Sequence, residues 1–326
     1  MTDISYHGTV NDLQGLHFAP AGPFARPDWF ALLQASSAPA LFAAASDASG
    51  TLVLPLTHSG NVLKSLTNWY AFSWQPLATP HAETPGLLRA LAHDLKARAA
   101  SVDLAKLPEG SARAMQAAFA AAGWITLLEP CDSNHVLRVT GRSYADYLGA
   151  RPGPLRTTLK RRSGKVDVEI VTDFEDDAWD SYQHVYAHSW KPGEGDPALL
   201  RAFAEAEGSA GRLRLGLARH EGQVVAAQFW TVENDTAWIH KLAHLESARH
   251  LSAGTVLSAA LFRHVIDEDR VALVDFGTGD DGYKRDWMEQ VRTRYRLRAW
   301  RPGAPANWPR IARAKARALV SRWRAG

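Results

Sequence analysis

Apolar and polar residues recur along this chain in two periods, and the period changes where turn residues intervene. Ala40 to Ala45 and Thr51 to Leu56 read as strands, and Asp47 to Gly50 between them supplies the turn of a hairpin. From Pro85 to Ala99 the apolar positions Leu87, Leu88, Leu91 and Leu95 follow helical spacing, with Arg89, Lys96 and Arg98 elsewhere. Ser111 to Ala122 is an alanine-rich helix closed by Gly123. Strands resume at Trp124 to Leu128 and His135 to Val139. Residues 142–165 form a basic helical bridge, with Tyr144, Tyr147 and Leu148 at helical spacing and Arg156, Lys160, Arg161 and Arg162 after Pro154.

Beyond this bridge the order becomes regular. A strand over Val166 to Val171 precedes helices over Asp177 to Trp190 and Pro197 to Glu207. Strands Leu213 to Arg219 and Val224 to Val232 flank a Glu221-Gly222 turn, and a further strand covers Ala237 to His244. A helix from Gly254 to Ile266 then leads to a strand over Val271 to Phe276. The pattern predicts an α/β (α+β) protein divided into 1–140, 141–300 and a tail, 301–326. No internal sequence repeat is visible, which leaves room for two domains of similar fold that have diverged.

Composition sharpens this reading at three points. A hydrophobic share of 46% with 12 tryptophans is enough for packed cores. One cysteine, Cys131, excludes an internal disulfide or a cysteine metal cluster, and the 13 histidines show no metal-ligand spacing, so no metal is expected. Met1 to Val10 carries Asp3 and no apolar run, and no stretch reaches the roughly 18 apolar residues of a membrane span, so a cytoplasmic location is expected. The net charge of +3 hides an asymmetry: residues 291–326 hold eleven Arg or Lys and no Asp or Glu, which leaves −8 on the rest. That tail is an address for an anionic surface.

The segment Asp275-Phe276-Gly277-Thr278-Gly279-Asp280-Asp281-Gly282-Tyr283-Lys284-Arg285-Asp286-Trp287 resembles the D-F-G-x-G-D-x-x-Y-K-x-x-W signature of the CelD-like branch of GNAT acyltransferases. The element order from 166 to 300 resembles the GNAT fold. That branch is related to Fem-type aminoacyl transferases, so the resemblance implies two GNAT-like domains, each a mixed, mostly antiparallel sheet flanked by helices. It covers about half of the chain, and residues 1–140 would be a degenerate, acceptor-side copy.

Upstream, Arg249-His250-Leu251-Ser252-Ala253-Gly254 is similar to the GNAT [QR]-x-x-G-x-[GA] loop that cradles the coenzyme pyrophosphate, with serine in place of the first glycine. Backbone N–H groups of Ser252, Ala253, Gly254 and Thr255 at a helix start, with the Arg249 charge, can hold phosphate oxygens. Taken without the downstream signature, Ser252 suits a plain helix cap better than a phosphate loop, and the signature reverses that order. The resemblance implies acyl-CoA as cosubstrate, with acyl carrier protein as the other possible carrier, and no tightly bound cofactor.

Acylating an amine requires a proton acceptor, because an amine of lysine-like basicity is mostly protonated at pH 7. His240 is the first candidate, and His244, of the same strand parity, is its rival; both also suit hydrogen-bonded core positions. Asp275 and Asp280 can bind or deprotonate an ammonium, or cap the turn around Gly277 and Gly279. The resemblance gives Tyr283 the role of protonating the departing thiolate, and Lys284 can hold a phosphate or pair with Asp275. Trp287 reads as packing. With no cysteine nucleophile in place and no G-x-S-x-G elbow, direct attack in a ternary complex is expected.

Asn68, Trp69 and Tyr70, followed by Phe72 and Trp74, mix aromatic and polar groups in a way that suits either an amphiphilic acceptor or ordinary packing. On a helical plot from Trp308, the residues Trp308, Ile311, Ala312, Leu319, Val320 and Trp323 share one side. Arg310, Arg313, Arg317 and Arg324 lie opposite, and Lys315 and Arg322 flank the apolar side. Such a basic amphipathic helix suits an anionic membrane surface ahead of nucleic acid, and also suits docking on the protein's own core. If it meets membrane, the sequence resembles bacterial ceramide synthases, which acylate a sphingoid-base amine. Two other readings stay open: aminoacyl transfer from charged tRNA, and a catalytically silent scaffold in envelope or polysaccharide assembly.

Overall fold

The computed structural model describes residues 2–36 and 38–325, with side chains described as far as residue 316. The described chain forms two compact units, 1–132 with 293–326, and 133–292. These bounds differ from 140/141 and 300/301, since Tyr295 to Trp300 pairs with Leu107 to Ser101 inside the first unit.

The chain order begins with strands β1 (Asp3–His7), β2 (Leu41–Asp47), β3 (Gly50–Ser59), β4 (Val62–Ser65), β5 (Leu77–Ala78) and β6 (Ser101–Leu107). Helices α1 (Pro27–Ala35), α2 (Thr84–Asp94) and α3 (Glu109–Ala121) punctuate them. Next come β7 (Ile125–Arg138), α4 (Tyr144–Gly149), α5 (Gly153–Arg162), β8 (Asp167–Val171), α6 (Asp176–Ala187) and α7 (Pro197–Ser209). The remaining elements are β9 (Leu213–His220), β10 (Gln223–Glu233), β11 (Thr236–His244), α8 (Ala253–Arg263), β12 (Leu273–Thr278), α9 (Lys284–Trp287), β13 (Gln290–Trp300) and α10 (Trp308–Ala325).

In the first unit the strand order is β1-β2-β3-β4-β6-β13, with β5 beside β3. The expected hairpin is β2–β3, with Asp47 opposite Gly50. Phe24 packs edge-on against Trp29 and Phe72, with ring centres at 5.1 and 5.0 Å. Phe72 and Trp74 are therefore core residues, and the Trp74 indole donates to Pro55 O at 3.0 Å. Gly123, at φ +83°, follows α3 as a glycine C-terminal stop should.

In the second unit the order is β7-β12-β11-β10-β9-β8, antiparallel except where β11 meets β12. Glu221 and Gly222 both take positive φ, +50° and +82°, as a two-residue hairpin turn requires. Helices α6 and α7 cover one face through Trp179, Phe203 and Phe229, and α8 covers the other, with Phe262 edge-on to Trp230 at 5.1 Å.

Two expectations need correction. Trp124 to Leu128 and His135 to Val139 are not separate strands: β7 is continuous, and Pro130 is exposed, a setting where a strand tolerates a missing N–H. The basic bridge splits into α4 and α5, because Ser143 and Asp146 form a capping box and Pro152 starts a new helix. In the described part of α10, Trp308 is 61% exposed and Ala314 is buried. Arg317, Leu319, Val320, Arg322, Trp323 and Arg324 lie outside the described side chains. Among the described residues no helix is long and apolar enough to cross a membrane.

Candidate active site

Strands β11 and β12 pair in parallel for only three positions, Thr236–Leu273, Ala237–Val274 and Trp238–Asp275, and then diverge. A cleft of about 570 Å³ lies in this part of the second unit, lined by Leu242 and His244 of β11, Phe276 of β12, Tyr283, and the start of α8. From Ile239 onward no ladder to β12 is described on that edge of β11, so its backbone groups face the splay.

The start of α8 has the geometry of an anion cradle. Ser252 adopts φ +56°, ψ +33°, a left-handed conformation that glycine takes most easily, and its side chain makes no capping hydrogen bond. The helix therefore begins where a capping serine would put it, yet the first-turn N–H groups are not consumed by that hydroxyl. Arg249, Ser252, Ala253, Gly254 and Thr255 all line the cleft. Buried Gln228 of β10 anchors this turn, donating to Gly254 O at 3.0 Å and Ser258 Oγ at 2.8 Å, while its Oε1 accepts from Trp230 Nε1 at 3.0 Å.

His240 and His244 do not share a face. A bulge between Phe229 and Trp230 in the pairing leaves His240 as an extra residue, with Ile239 opposite Trp230 and Lys241 opposite Phe229. His240 consequently turns to the α6–α7 side, stacked on Phe229 at 4.9 Å and edge-on to Phe203 at 5.1 Å, with Nε2 at 2.8 Å from the Thr231 hydroxyl. It is outside the cleft lining, so the first-named base candidate sits in the packed layer and its rival sits in the cleft.

His244 is half-buried against Trp190, with ring centres 4.3 Å apart. Burial pushes its pKa below the ordinary value; nearby Glu246 opposes this, and the charges of Arg249 and Lys191 add to it. The imidazole is thus neutral near pH 7 and able to accept a proton. A Cβ at position 254 would stand 3.4 Å from His244 Nδ1, which places the histidine directly against the turn that opens α8.

Tyr283 also lines the cleft, edge-on to Phe276 at 5.7 Å, and partial burial raises its pKa, with Asp281 contributing in the same direction. Its phenol stays protonated and can donate. Trp287 stacks on Phe262 at 5.0 Å with rings nearly parallel, consistent with a packing role.

Asp275 is buried; it accepts from Asn134 Nδ2 at 2.7 Å and from Gly277 N at 2.8 Å, holding the turn at Gly277. Asp280 is exposed and bonded to Arg285 at 2.7 Å and His135 at 3.1 Å, and the Arg285 hydrogen bond holds its carboxyl below the usual range. Neither carboxylate lines the cleft. Lys284 is buried and donates to Thr278 O at 2.5 Å, bracing the same loop.

Asn68, Trp69 and Tyr70 belong to the first unit. The Asn68 side chain accepts from Tyr70 N at 3.0 Å, its carbonyl accepts from Lys106 Nζ at 2.8 Å, Tyr70 is buried, and Trp69 is 58% exposed.

Reading the sequence alone missed Gln228, Trp190, Glu246 and Asp286, the last three of which line the cleft. It also missed Lys191, beside Trp190, whose pKa burial lowers to about 8 with help from Lys241. Asp286 falls within the signature at a position that carries no required residue type, and the others come from loops or a neighbouring strand without a motif.

Residues 155–285 match the family model described as Acetyltransferase (GNAT) domain, and this part of the chain has the GNAT fold. No curated protein matches the sequence. Among solved structures the chain is similar to FemX, at 8% identity over 90% of this chain and 96% of that one, TM-score 0.63. It is also similar to L-PGS from Bacillus licheniformis, at 12% identity over 85% and 88%, TM-score 0.55. A tandem GNAT protein from the clavulanic acid biosynthesis pathway aligns at 14% identity over 92% and 100%, TM-score 0.51. These likenesses establish the fold, a mixed α/β architecture with mostly antiparallel sheet flanked by helices.

Proposed function

We propose that the second unit is an N-acyltransferase that moves an acyl group from a coenzyme A thioester to an amine. The observation that carries this reading is the left-handed Ser252 turn at the head of α8, facing the same cleft as His244 and Tyr283. First-turn N–H groups and Arg249 hold the pyrophosphate. His244 takes a proton from the incoming ammonium, and the freed amine attacks the thioester carbonyl. Backbone N–H groups of β11 beyond Trp238 hold the oxyanion; as the adduct collapses the C–S bond breaks, Tyr283 protonates the leaving thiolate, and the second proton shed by the nitrogen restores the Tyr283 phenol.

The acceptor we propose is a long-chain, sphingoid-type amine reached at a membrane surface, since the charge of residues 291–326 favours an anionic interface. Incubation with palmitoyl-CoA and a panel of amines including sphinganine, followed by free thiol and product mass, tests both parts. N-acylsphinganine formation that collapses on His244→Ala or Tyr283→Phe is the expected result, whereas no thiol release with any amine sinks the reading.

A second reading is favoured by the likeness to FemX across nine-tenths of the chain: an aminoacyl donor carried by tRNA, acting through the same cleft. Salt-sensitive tRNA binding with no thioester turnover would select it.

A further inference from the structure

A second cleft, of about 430 Å³, lies within the first unit on its sheet, beside the first turns of α10. Its floor carries charges across neighbouring strands: Lys64 of β4 pairs in register with Asp103 of β6, and Arg298 of β13 faces Asp103 from the other side. The two nearby carboxylates are already engaged. Arg296 donates to both oxygens of Asp103, at 2.6 and 2.5 Å, and Arg298 donates to Glu129 at 2.7 Å.

Over this floor α10 brings Arg310 and Arg313, with Ala314 buried beside them. The side chains of Lys64, Arg310 and Arg313 make no hydrogen bond or ion pair among the described residues. Three cations thus surround one cleft with no counter-charge of their own, and the segment that carries two of them, 291–326, contains no acid. Like charges brought together this way repel, and an anion seated between them reverses the sign.

We infer that this cleft is an anion site for the phosphoryl group of an anionic phospholipid, held between Lys64 of the sheet and Arg310 and Arg313 of α10. Phosphate chemistry follows from three convergent cationic donors. A lipid source follows from what surrounds them: Val62 and Leu127 give the cleft an apolar wall, and Trp308 stands exposed at the head of the same helix, as an interfacial indole does. The site is independent of the donor cleft, so thioester turnover and lipid binding can fail separately.

The test is co-sedimentation of the full chain with vesicles of phosphatidylglycerol in phosphatidylcholine, alongside calorimetry with inorganic phosphate and with tRNA. Lys64→Glu, its milder form Lys64→Gln, and the double variant Arg310→Gln with Arg313→Gln are compared with Arg89→Glu, the same charge change as Lys64→Glu at an exposed position on α2. Expected are at least a tenfold loss of vesicle binding for Lys64→Glu and for the double variant, a smaller loss for Lys64→Gln, and less than a twofold change for Arg89→Glu. Equal losses for Lys64→Glu and Arg89→Glu would mean bulk charge, and unchanged binding in both Lys64 variants would mean the tail acts without the cleft; either overturns the site. Binding of phosphate or tRNA without binding of vesicles overturns the lipid source.

Discussion

Replacing Ser252 with glycine isolates the backbone of the turn that opens α8 from its side chain. A residue with a Cβ in the left-handed region costs about 1–2 kcal/mol relative to the right-handed region, and Ser252 sits there at φ +56°. Glycine removes that cost but gives the unfolded chain more freedom, worth about 0.5–1 kcal/mol. The net expectation is that Ser252→Gly stabilises by about 0.5–1 kcal/mol, a rise in Tm of roughly 1–4 °C for a unit of this size. Ser252→Ala keeps the Cβ and deletes the hydroxyl; with no capping bond to lose, it should fall within about 0.5 kcal/mol of the parent. Urea unfolding followed by tryptophan fluorescence measures both. If alanine costs about 1 kcal/mol or more, or glycine destabilises, the hydroxyl caps the helix after all and the cradle argument loses its basis.

His244→Ala should lower kcat/KM by about a hundredfold or more with donor affinity little changed, as loss of a general base does; an equal loss of donor binding would reassign the residue. Because the folded His244 pKa lies below its ordinary value, its neutral burial contributes fully above about pH 6.5, and that contribution is lost as pH falls through the lowered folded value. His244→Phe should flatten that slope in unfolding measurements at mildly acidic pH. Glu194→Gln removes the charge partner of Lys241 Nζ, now at 2.8 Å with both side chains nearly buried, and should cost about 3 kcal/mol by urea unfolding at pH 7. Gly208→Ala would bring a Cβ to 2.7 Å from the backbone nitrogen of Phe174, a neighbour that cannot rotate away, so a loss of about 1–3 kcal/mol is expected in thermal melts; a neutral result would mean the two segments part easily.

Much of the second unit was legible from the residues themselves. Strands β9, β10 and β11, the Glu221-Gly222 turn and the start of α8 follow from periodicity and turn chemistry, which act between residues a few positions apart. The signature from Asp275 to Trp287 located the loop beside the cleft for the same reason. Which side chains enter the cleft was decided elsewhere. One extra residue at the β10–β11 bulge sends His240 and His244 to opposite faces, a one-residue slip that strand parity cannot register. Asp275 is committed to its turn by Asn134, 141 residues away, and His244 owes its lowered pKa to burial and to charges on separate loops. Local sequence therefore determined the elements and the motif, whereas burial and long-range neighbours, which exist only once the chain has folded, determined which titratable groups are available to react.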